Sequence, residues 1–432
     1  MPEKLTLDVL RNAVSGTAAA FRCRTEYQPA GGQGDKVFPP TYAGGEYAVE
    51  TRMIDGQPVQ CVLLDSVQSQ ANRMELALLE AWRTKDKDKK RLIDLPVITV
   101  NFDDNLLTKK FTVTSLEAPH RVADAILRDS LFDSSGQNWK TQQSQGVVFR
   151  KSEKGRLLDT ADVKNATGLF GLCPTALVFG LWDSTGPRGG LGAKFQRALV
   201  SEMFGIEVLE GVRSSSRIDP AQITLGAGIL YERKVKNDTS PEWTLDANLG
   251  SKKLGKEGKP SEANHGNVKP VVDSTTGGFT ISRAIQTTVL SLTTLRRLRF
   301  PLNGVAEFHL EVDIAARTVL AALGLAAASL TRDESADLRS RCHLVAQQKP
   351  IWELIDVPGK DPKQFELTGS EAVTLFKNAM TAAKEVKVKD KENNDLTLPW
   401  EGEIVLKPSD DLLKLVAGSQ ELAMHKTVEG GD

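Results

Sequence analysis

Cysteine is scarce: four residues in 432, Cys23, Cys61, Cys173 and Cys342, stand far apart with no Cys-x-x-Cys pair. That spacing argues against a disulfide framework and against a thiolate metal centre. His343 beside Cys342 is the only thiol and imidazole neighbour. No metal and no cofactor is expected. Long apolar runs are missing too. None approaches the roughly 20 residues that span a bilayer, and the first ten residues carry acids where a signal peptide has its apolar core. The chain reads as cytoplasmic, with no membrane partner. Nor is there an excess of either charge: 55 Lys and Arg stand against 56 Asp and Glu, a net of −1. A protein that coats nucleic acid through a generally basic surface is thereby disfavoured, so any nucleic-acid site is local. The even balance suits a subunit that stacks on copies of itself. No repeat of fixed period occurs.

What is present is a composition 40 % hydrophobic, enough for one large core or two smaller ones. The chain is organised around residues 173–200, CPTALVFGLWDSTGPRGGLGAKFQRALV. Residues 175–182 form an apolar run of strand length bounded by turn residues. Residues 183–192 hold Gly186, Gly189, Gly190 and Gly192 together with Pro187, which disfavours helix and central strand. From Ala193 the spacing of Phe195, Ala198, Leu199 and Met203 predicts a helix, with Lys194, Arg197 and Ser201 on its other face. Glycine amides, a helix N-terminus and the cations Arg188, Lys194 and Arg197 would then converge on a phosphate oxygen. The nucleotide-hydrolysing loop Gly-x-x-x-x-Gly-Lys-Ser/Thr fails here, because Leu191 stands where its second glycine belongs and Phe195 follows Lys194. The dinucleotide pattern fails as well, with Phe195 in place of its third glycine.

Along the rest of the chain, residues 5–15 read as a helix and 17–27 as a strand. Residues 47–53 and 57–64 read as a hairpin about Asp55-Gly56. The second strand runs into a helix capped by Asp65 or Ser66, whose apolar face is Val67, Ala71, Met74, Leu78 and Ala81. Its other face shows Ser66, Ser69, Gln70 and Arg73. Residues 85–91 are a solvated charged loop, 92–100 and 109–115 strands, 118–132 a helix opened by Pro119, with His120 structural. Residues 134–159 read as polar loop or hairpin, and 206–211 as a strand. Residues 237–278 are rich in Gly, Pro and Lys and too poor in apolar side chains to form a core, so a loop-like excursion with His265 exposed is expected. Residues 281–298 alternate as a strand and end in Arg296, Arg297 and Arg299 beside Phe300, a candidate phosphate track on a sheet edge. Then come a strand at 305–312, a buried or interface helix at 313–330, a strand at 338–347, helices at 371–387 and 410–425, and a strand at 403–406.

The stretches VQSQANRMELAL, ALVFGLWDSTG, GPRGGLGAKFQRALVSE and APHRVADAILRDS resemble the backbone subunit of type I CRISPR surveillance complexes in the RAMP superfamily, and among these the type I-G (formerly I-U) version. The resemblance runs in order along roughly the whole chain. It implies an α+β fold, a ferredoxin-like or RRM-like palm with long insertions: 1–236 and 279–432 as palm, 237–278 as a thumb-like insertion reaching the neighbouring subunit. It also implies that the start of the first long helix lies against the guide RNA backbone, at Ser69, Gln70 and Arg73. With the glycine loop, the expected RNA contacts are Ser69, Gln70, Arg73, Arg188, Gly189, Gly190, Lys194 and Arg197. The implied partners are CRISPR RNA, target DNA through the guide, further copies of the chain in a helical filament, and other subunits of the complex. The role implied is non-catalytic, since no motif gives a cutting role to Asp65 or Asp183, which suit a helix cap and a turn. The competing expectation is a phosphate-ester or nucleotide-using enzyme built on residues 183–197.

Overall fold

A computed structural model describes residues 2–133, 146–186, 192–235, 239–303 and 307–425. In chain order the elements that position the site are α1 (Leu7–Ser15), β1 (Ala20–Pro29), β2 (Val49–Ile54), β3 (Gln57–Asp65), α2 (Val67–Arg83), β4 (Val97–Phe102) and β5 (Phe111–Thr114). They continue with α3 (Thr175–Phe179), β6 (Leu181–Trp182), β7 (Lys194–Phe195), β8 (Leu199–Ile206), β9 (Arg213–Arg217), β10 (Val268–Asp273) and β11 (Arg283–Ser291). The last third supplies α4 (Leu310–Asp333), β12 (Ala336–Arg339), β13 (Cys342–Ala346), β14 (Ile351–Ile355), β15 (Lys363–Glu366), α5 (Gly369–Lys384), β16 (Glu403–Pro408) and α6 (Asp410–His425). The fold is α+β.

The main sheet runs β15-β14-β1-β11-β8-β3-β2, with Glu3–Lys4 beyond β15, β13 on the free end of β1, and β12 on β13. Its four central strands are antiparallel throughout. Period-two alternation decides their faces: Phe21, Cys23 and Tyr27 on β1, Ala284 and Leu290 on β11, Leu199 and Met203 on β8 all point to the buried side. There α2 contributes Met74 and Leu78, and α4 contributes Val319 and Leu323. The helix α4 has the length and apolarity of a membrane span, yet 83 % of its most apolar window is buried inside the protein. A second sheet, β5-β4-β16 followed by Ser130–Phe132 and Val147–Val148, pairs β16 in parallel with β4.

Several expectations are met locally for a physical reason. The hairpin turns at Asp55 (φ 50) and Gly56 (φ 78), both left-handed as a two-residue turn requires. Ser66, not Asp65, caps α2, its hydroxyl accepting from the Ser69 amide. Elsewhere the structure differs. Residues 175–182 divide into the helix α3 and the two-residue β6, because Gly180 (φ +87) breaks the run. An apolar run of eight carries no period that tells strand from buried helix.

The helix expected from Ala193 is instead β7 and then β8, a central strand of the sheet. Leu199 and Met203 lie four apart, a spacing that a strand's period of two satisfies as well as a helix does. No helix dipole therefore stands behind Lys194. Residues 118–132 form a 3-10 turn at Arg121–Ala123, one turn of helix at Ala125–Arg128 and a strand. Residues 338–347 form part of the β12–β13 hairpin; of the strand expected at 305–312, residues 307–309 are irregular and 310–312 begin α4, while 305 and 306 lie outside the described residues. Residues 237–278 fall within a longer excursion between β8 and β11. There β9 and β10 form an antiparallel ribbon, and Tyr231–Arg233, Trp243–Thr244 and Gly250–Lys253 a three-stranded sheet.

Candidate nucleic-acid interface

Two polar clusters flank α2. The first is enclosed between α2 and the sheet. Gln70, 1 % exposed, accepts at Oε1 from Ser201 Oγ (2.8 Å) and Gln286 Nε2 (2.7 Å) and donates through Nε2 to Asp65 Oδ2 (2.7 Å). Arg73 donates to the same Asp65 oxygen (2.9 Å) and to the Leu338 carbonyl (2.6 Å), tying α2 to β12. Tyr27 and Arg332 complete the cluster through Gln286 Oε1. Gln70 is thus committed to the interior, while Arg73, its side chain 30 % exposed, gives its three nitrogens to the Asp65 carboxylate and the Asp337 and Leu338 carbonyls. Arg73→Ala would leave the Asp65 carboxylate, 0 % exposed, without its cation. We expect a loss of about 2–3 kcal/mol, read as a lower denaturation midpoint with unchanged slope.

The second cluster opens to solvent. Arg121, held at φ 52, donates two parallel bonds of 2.7 Å to Glu75 of α2 and a third, of 3.0 Å, to the Gly180 carbonyl. Gly180 has no room for a side chain: a Cβ would stand 2.9 Å from Arg197 Cγ and 3.1 Å from the Phe195 carbonyl. The close approach brings the 194–197 strip against α3 and the start of α2. Between them lies a cleft of about 450 Å³, lined by Gln68, Asn72, His120, Trp182, Lys194 and Arg197 over an apolar floor of Phe179, Leu181 and Phe195.

Electrostatics single out Arg197. Burial holds its guanidinium below the ordinary arginine range, the Arg121 charge adds to this, and Glu75 opposes it. Its side chain makes no hydrogen bond or ion pair with a described residue. Burial also pushes the Glu75 carboxyl up to about 7 from 4.5, against Arg121 and Arg197. The folded state thus takes up this proton more readily than the unfolded chain. The group's contribution to stability is full below about pH 4.5 and is lost as pH rises to about 7. The melting temperature of the native protein minus that of Glu75→Gln should therefore fall from pH 5 to pH 7.5.

The structure gathers Lys194 and Arg197 in this cleft and sets Gln70 and Arg73 in the enclosed cluster, where neither faces it. Ser69 is half-buried beside the Ser66 cap, its amide and hydroxyl both meeting the Ser66 hydroxyl. Arg188, Gly189 and Gly190 lie outside the described residues. The arginines after β11 do not track a sheet edge. Arg296, on a one-turn helix, donates to the Ala18 carbonyl (2.6 Å), and Arg299 pairs with Asp313 (3.0 Å). Arg297 donates to Gln196 (3.1 Å) and so borders the 194–197 strip. Asp65 serves Arg73 and Gln70, and Asp183 serves Arg150 (3.1 Å) and Thr185 (3.3 Å). No group of three or more His, Cys, Asp or Glu placed to hold a metal occurs among the described residues.

Sequence reasoning missed Gln68, Asn72, His120 and Trp182. One signal was available: Gln68 and Asn72 sit four apart, one helical turn, and so share a face of α2. His120 is exposed and lines the cleft.

Residues 21–210 match the model of the family described as CRISPR-associated protein GSU0053. The matched stretch, under half of the chain, carries β1 through β8 and every wall of the cleft. No curated protein matches the chain. The family match supports a CRISPR-associated protein.

Proposed function

We propose that the chain is a non-catalytic backbone subunit that binds the guide RNA of a type I-G surveillance complex through its phosphates and repeats along it. The observation that carries the reading is Arg197: a half-buried guanidinium beside a second one, Arg121, whose own carboxylate is already taken. A cation left so is stabilised by an anion from outside, and a phosphate of an extended strand fits an open cleft. Lys194 and Arg297 extend the basic strip on either side of Gln196. Among the described residues no acidic side chain lines the cleft.

The excursion between β8 and β11 supports the second half of the reading. It leaves Leu209, Val212, Ile218, Val235, Leu245 and Val272 more than half exposed, apolar surface that a neighbouring copy would cover. The enzyme alternative loses its carboxylates, since Asp65 and Asp183 are turned into ion pairs within the protein. The test is incubation of purified protein with single-stranded RNA and Mg²⁺ or Mn²⁺. We expect RNA bound without sequence preference and recovered at full length. Cleavage that disappears in Asp183→Ala would establish the enzyme, and protein that leaves RNA unbound would end the backbone reading.

A further inference from the structure

We infer that Trp182 is a stacking platform for one unstacked RNA base, set beside the phosphate position at Arg197, with Gln68 and Asn72 facing the base edge; this rests on the RNA-binding reading above. Trp182 is 67 % exposed although it sits in a strand pair whose neighbours Leu181 and Phe195 are buried. Its cross-strand partner is Lys194, whose Nζ lies 5.8 Å from the ring centroid. A large indole held out over a cleft is costly to leave in water, and apart from the Lys194 ammonium over its ring it stays two-thirds exposed among the described residues.

The cleft asks for more than a phosphate. A phosphate is satisfied by Arg197 and Lys194, which leaves the indole, the apolar floor and two amide side chains without use. Gln68 and Asn72 project from successive turns of α2, and neither side chain makes a hydrogen bond to a described residue. Each offers a donor and an acceptor. A flat apolar face with donors and acceptors on its rim, linked to an anion, is the chemistry of a nucleotide. In single-stranded RNA the base is free to turn out of its stack and take such a place.

The probe is a pair of RNA oligonucleotides of equal length, one intact and one with abasic ribose throughout. We expect Trp182→Ala to weaken the intact RNA about tenfold and the abasic RNA not at all, with the salt slope of both unchanged. Trp182→Phe should restore most of the loss. Tryptophan fluorescence of the native protein should be quenched by intact RNA and much less by abasic RNA, and the difference should vanish in Trp182→Phe. Equal weakening on both RNAs, or no weakening on either, overturns the stacking role. The phosphate reading is tested apart from it: if Lys194→Ala with Arg197→Ala leaves abasic RNA binding unchanged, that reading fails whatever Trp182 does. Trp182 is exposed, so a matched thermal melt separates weakened binding from a damaged fold.

Discussion

Replacing Lys194 and Arg197 together by alanine is expected to weaken single-stranded RNA binding about a hundredfold, from two charge-assisted hydrogen bonds of about 1.5 kcal/mol each. Stability should not fall with it. Arg197 is desolvated and repelled by Arg121, so its removal relieves a cost that the folded chain bears alone. The slope of log K against log salt should flatten by about 0.7 for each phosphate that is no longer neutralised. Filter binding at three salt concentrations, on RNAs of different sequence, together with a thermal melt, gives all of these quantities. Removing a grip on the RNA backbone lowers affinity alike for every sequence. A melt that collapses along with the binding would mean that the two cations hold the fold instead. Arg73→Ala makes the internal control, with the melt expected to fall and binding by the remaining folded protein to persist.

Excising residues 212–277 and joining the ends by a short Gly/Ser turn is expected to abolish ordered growth on long RNA while sparing the fold. The ends meet already: the Gly211 amide donates to the Gly278 carbonyl at 2.8 Å, and a Cβ on Gly277 would stand 1.9 Å from the Gly211 oxygen. The strands within the excised segment pair with each other and with neither main sheet. Its apolar side chains are largely exposed, so the core is little diminished. Particle size measured on RNAs of increasing length should rise for the full chain and level off for the shortened one. A head-to-tail interface that does not close on itself adds copies until the RNA ends. Equal growth of both proteins would place the interface between copies elsewhere.

The elements legible in the sequence were those whose signal is local. The α2 cap at Ser66, the Asp55-Gly56 turn and the buried α4 each depend on residues within a few positions of one another. The central segment was misread because Leu199 and Met203 satisfy both periods, and only the antiparallel neighbours β3 and β11 decide between them. The cleft was half legible. Lys194 and Arg197 were singled out as cations, whereas Gln70 and Arg73 looked like their companions because polar residues at the start of a helix are ordinarily exposed. What reverses that is long-range: Ser201 and Gln286 arrive from β8 and β11 to enclose Gln70, and the Leu338 carbonyl arrives from β12 to meet Arg73. The excursion was recognised by composition, but its ribbon pairs Ser214 with Val272 across more than fifty residues, beyond the reach of turn chemistry.

The parallel pairing of β16 with β4 joins Val97 to Glu403 and Val100 to Leu406. During synthesis β4 leaves the ribosome some three hundred residues before its partner does. Until then it is a strand with one open edge, rich in valine and isoleucine, and available to pair with any other emerging chain. Translation of a message cut short before residue 403 would therefore yield a product prone to aggregate, even though the whole cleft has already been made.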